Sequence, residues 1–112
     1  MATTKESPIS IRVQLDENKI PESIRWSAPD GGVTDEEAKA MLLSFWDGAQ
    51  QETLRMDLWV KEMPLDQMQH FFHQSLLTLC DTYQRATADE PMANALRDFC
   101  AFYAKERKLK TS

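Results

Sequence analysis

Apolar residues alternate with polar ones up to about residue 61 and then recur every third or fourth position, with Pro64 at the change. Period two belongs to strands and period 3.6 to helices. The chain must therefore be built as a sheet segment followed by a helical segment. An antiparallel sheet can bury one face under helices that follow it, which is an α+β arrangement. A length of 112 residues fits one such domain.

The run Ile9-Ser-Ile-Arg-Val-Gln-Leu15 alternates cleanly and predicts a strand. Asp16 to Lys19 is turn-like, and a second strand follows over Ile20 to Ser27, with Pro21 near its start where a missing N–H does least harm. The two should pair as a hairpin. Gly31-Gly32 then supplies a turn, without the Gly-x-x-x-x-Gly-Lys spacing that cradles phosphate. Residues 34 to 47 carry two periodicities. Thr34 and Glu37 read as a capping box before Ala38, Met41, Leu42, Phe45 and Trp46 at helical spacing, but Met41, Leu43 and Phe45 also alternate. Thr53 to Lys61 alternates strictly and Asp47 to Gln51 is turn-like, so residues 39 to 47 are assigned to a strand. Asp35-Glu36-Glu37 then falls in a solvated loop.

Beyond Pro64, Leu65, Met68, Phe72, Leu76, Leu79 and Tyr83 form one apolar stripe, and Met92, Leu96, Phe99 and Tyr103 form a second. Asp89 can cap the second helix, with Pro91 in its first turn. The expected fold is a four-stranded antiparallel sheet with a C-terminal two-helix hairpin packed on one face. Residues 1–8 are expected to be a flexible N-terminus and residues 9–110 a single domain. The expected inward set is Ile11, Val13, Ile24, Trp26, Met41, Leu43, Phe45, Leu54, Met56, Leu58 and Val60.

A net charge of -5 argues against nucleic acid or an anionic membrane as partner. No apolar run approaches the roughly 18 residues of a membrane span. The N-terminal residues lack the apolar stretch of a secretory signal, so the expected location is cytoplasmic, and Cys80 and Cys100 are expected to be buried free thiols. The basic residues Lys105, Arg107, Lys108 and Lys110 complement the dipole at a helix C-terminus.

Two constellations carry candidate chemistry. Asp66, His70 and His73 share one helical face and are ordinary ligands for zinc or iron, although no second cluster completes a metal centre. The strand phases also place Arg12, Arg25, Leu42, Trp46, Arg55 and Trp59, with Asp57, on the sheet face away from the helices. An open antiparallel face is normally polar, whereas tryptophan and arginine are the residues enriched at binding hot spots. This face points to a protein partner or to self-association. No Gly-x-Ser-x-Gly elbow or paired-carboxylate cleft argues for an enzyme, and no cofactor is expected.

Several segments in order resemble the gliding motility-associated protein GldC family: Ile20-Pro-Glu-Ser-Ile-Arg-Trp26, Asp30-Gly-Gly32, Trp46-Asp47, Glu52-Thr-Leu-Arg-Met-Asp-Leu-Trp-Val-Lys-Glu-Met-Pro64, Asp66-Gln-Met68, Phe71-Phe-His-Gln74, Arg85-Ala-Thr87 and Arg97-Asp-Phe-Cys100. The resemblance implies an accessory role in the surface gliding of Bacteroidetes, through proteins of the gliding machinery. It implies no catalytic residue and no cofactor.

Overall fold

Pro64 marks the structural change as well as the sequence change. In the computed structural model, which describes residues 5–110, the strands form one compact unit ending at Met63 and the helices another starting at Pro64. Of the expected flexible N-terminus, residues 1–4 lie outside the described residues. The elements are β1 (Ser10–Leu15), β2 (Pro21–Ala28), β3 (Val33–Ala38), β4 (Ala40–Asp47), β5 (Glu52–Trp59), α1 (Leu65–Thr87) and α2 (Glu90–Glu106). The chain is α+β, but the expected four-stranded sheet is replaced by two antiparallel sheets, one of order β1-β2-β3 and one of β4-β5.

The additional strand is β3. Asp35-Glu36-Glu37 was expected in a loop because acidic residues have low strand propensity. Here opposite charges and an edge position hold it extended. Glu37 lies opposite Arg25 on β2. Asp35 adopts a left-handed φ of 49° near a register shift between Trp26 and Ala28. Its N–H donates to Ser27 Oγ at 2.8 Å, and its carbonyl accepts from Arg25 at 2.9 Å. Charges on an edge strand also discourage pairing with another chain. Only Lys39 separates β3 from β4, so one extended run is divided between two sheets.

In the helical unit, Pro64 occupies the N-cap of α1 and Asp66 complements the dipole in its first turn. Ala88 ends the helix at a left-handed φ of 59°, its N–H donating to the Gln84 carbonyl. Asp89 caps α2 as expected, accepting from the Met92 N–H at 3.2 Å. The connector leaves the helices antiparallel: Cys80 meets Cys100, and His73 meets Tyr103, one turn further along α2. Ala93, Cys100 and Ala104 are the buried residues of α2, and small side chains let two helices approach closely.

The expected inward set is only partly sheltered. Ile24 and Val60 are buried at 1% and 6% exposure, whereas Phe45, Leu54 and Met56 are all more than half exposed. The last three share one face of a sheet that has just two strands. Such a ribbon has no third strand to widen its covered area.

Candidate functional site

Alternation along β4 and β5 sets which side chains share a face. Pairing of Ala40 with Trp59, Leu42 with Asp57, Ser44 with Arg55 and Trp46 with Thr53 puts these eight residues on one side of the ribbon. All but Ala40 are exposed, with Trp46 at 63%, Trp59 at 53% and Leu42 at 47%. Four of the six candidate surface residues, Leu42, Trp46, Arg55 and Trp59, therefore come together here.

Arg12 and Arg25 do not join them. They face each other across β1 and β2 in the three-stranded sheet. Arg12 pairs with Asp35 at 2.5 Å, and Arg25 lies 3.6 Å from Asp35 and 3.9 Å from Glu37. The acidic strand that sequence reasoning missed neutralises these two arginines. Among the described residues, Arg55 and Asp57 on the ribbon take part in no ion pair.

The base of the ribbon is tied to the other sheet by polar groups. Asp16 accepts from the N–H groups of Asn18 and Ile20 and from Lys61 Nζ at 3.1 Å, and the Lys61 N–H donates to the Pro21 carbonyl. The Ile20 N–H, followed by Lys61, holds the Asp16 carboxyl below its ordinary value of 3.8. Asp16 in turn raises the Lys61 ammonium above 10.5. A depressed carboxyl contributes stability above its unfolded pKa and loses it as pH falls through the folded one. Asp16→Asn should therefore lower stability at neutral pH and flatten the loss below pH 3.8, measured by urea unfolding across pH. An acid limb of unchanged depth would assign it to other carboxylates.

The residues Asp66, His70 and His73 lie on α1 but do not converge. His73 is buried, its ring stacked on Tyr103 with centroids 6.0 Å apart, while Asp66 is exposed and His70 half-buried. Helical rise alone separates the first and last of these positions by roughly 10 Å along the axis. Among the described residues no group of three His, Cys, Asp or Glu is placed to hold a metal ion.

Cys80 and Cys100 are buried and free, their sulfurs 3.8 Å apart. Burial, and then the neighbouring Cys80, push the Cys100 thiol up to about 11. A thiol so raised is protonated at neutral pH and is a poor nucleophile.

A family model described as gliding motility-associated protein GldC-like matches residues 21–109. The chain belongs to this family. The matched span includes β2 to β5 and both helices, and so takes in the whole tryptophan ribbon. No curated protein and no solved structure matches the chain. Among the described residues no helix is long and apolar enough to cross a membrane.

Sequence reasoning named the large residues of the ribbon face and passed over its small ones. Ala40, Ser44 and Thr53 share that face by the same alternation, and register places each beside a bulky or charged neighbour.

Proposed function

We propose that this GldC-like protein is a non-enzymatic accessory component of bacterial gliding, acting through protein–protein contacts on the Leu42, Trp46, Arg55 and Trp59 face. Family membership supports the link to gliding. The observation that carries the contact role is the concentration of two exposed tryptophans, a leucine and an exposed arginine on one ribbon face. Tryptophan and arginine are among the residues enriched at the few buried positions that dominate measured interfaces. Leaving them in water has no benefit for folding, so their exposure is best explained by a surface that is covered in the working state.

The test is genetic. Deleting the gene in its native bacterium should reduce colony spreading, and the wild-type gene should restore it. The variant Trp46→Ser with Trp59→Ser, accumulating to the same level, should not. Equal rescue by both would overturn the assignment of this face.

A further inference from the structure

We infer that the tryptophan face of the β4–β5 ribbon binds the same face of a second copy of this chain. This rests on the proposal that the face is a contact surface and names what covers it. The argument is one of register. On β4 the face reads Ala40, Leu42, Ser44, Trp46, and on β5 it reads Trp59, Asp57, Arg55, Thr53 at the same levels.

Two such faces can stack as aligned sheets do, about 10 Å apart. Consider a two-fold axis lying in the interface, across the strands at the level of the Leu43–Met56 pair. It inverts the levels and keeps each strand over its own copy. Trp46 then meets Ala40, Trp59 meets Thr53 and Leu42 meets Ser44, each large side chain over a small one. Arg55 meets Asp57, twice, because an isologous interface repeats every contact. Every position on the face thus finds a partner complementary in volume or in charge. Arg55 and Asp57 lack an ion-pair partner among the described residues of their own chain, and the second copy supplies one to each. A heterologous partner gives no reason for this palindrome.

The area is sufficient for a modest dimer. At 63% and 53% exposure, the two tryptophans alone offer about 250 Å². With the six residues around them, the face reaches roughly 600 Å² per copy, or about 1,200 Å² per pair, the lower bound for specific interfaces. An interface at this lower bound fits a weak, reversible dimer, so association is sought at high concentration.

The experiment is sedimentation equilibrium of the full chain at tens to hundreds of micromolar, with far-UV circular dichroism to confirm folding. Wild type should approach twice the chain mass of 12.9 kDa. Arg55→Glu alone and Asp57→Arg alone should each weaken association at least about tenfold, since each places like charges opposite one another. The double variant carrying both changes should regain it, because the pair is then only reversed. Restoration by the double variant also excludes misfolding as the cause of the single losses.

A monomeric wild type, single variants that associate as well as wild type, or a double variant that stays monomeric would each overturn the inference. The two proposals fail separately. If wild type is monomeric while Trp46→Ser with Trp59→Ser still abolishes spreading, a different protein covers the face and the contact role stands. If that tryptophan variant restores spreading while wild type dimerises through the charge pair, the dimer stands and the contact role in gliding falls.

Discussion

Replacing Ile24 by alanine should destabilise the strand unit by about 2–5 kcal/mol, the cost of deleting a fully buried aliphatic side chain. Ile24 is 1% exposed on the central strand β2, opposite Val13 on β1 and Ala38 on β3. It is the largest fully buried side chain among the described residues before Pro64. The cavity would open where the two pairings of β2 meet, which loosens β1 and β3 together. Urea unfolding followed by tryptophan fluorescence, with Trp26 two residues away, reads the effect. The comparison is Ile11→Ala, which removes the same atoms at a position 37% exposed and should cost well under half as much. Equal losses at the two sites would mean that β2 does not carry the core of this unit.

The second large effect comes from adding volume. Ala93→Leu should destabilise the helical hairpin by about 1–3 kcal/mol, because overpacking forces side chains from their preferred rotamers. Ala93 is 0% exposed in α2 and lies on the same helical side as Cys100 and Ala104. Leucine is nearly as good a helix former as alanine, so propensity does not confound the result. The exposed Ala95, two residues on, serves as control, and Ala95→Leu should change stability by less than about 0.5 kcal/mol. Thermal unfolding followed at 222 nm distinguishes them. A neutral Ala93→Leu would mean that the helices do not meet along this small-residue seam.

The two helices were legible because their signals are local. Pro64, the capping Asp89 and the three-and-four spacing of Phe72, Leu76 and Leu79 each act within a turn or two of chain. The strand phases were legible for the same reason: alternation put Leu42, Trp46, Arg55 and Trp59 on one face before any pairing was known. The third strand was not legible. Its extended state depends on Arg12, Arg25 and Ser27, which lie up to 23 residues away and compensate for poor strand propensity. Asp66, His70 and His73 share a helical face by spacing alone, which does not bring their side chains together, and His73 stacks on Tyr103.

By itself the sequence determined the α+β class, the change of element type at Pro64 and the parity of the four strands it predicts. Those properties follow from backbone periodicity and from caps that a residue carries with it. Only the tertiary structure decided that five strands divide into two sheets, that Asp35 and Glu37 neutralise Arg12 and Arg25, and that the tryptophans remain exposed. Parity says which side chains share a side of their own strand. Which strand lies beside it, and therefore which face is large, charged or bare, is set by hydrogen bonds and ion pairs between residues far apart in the chain.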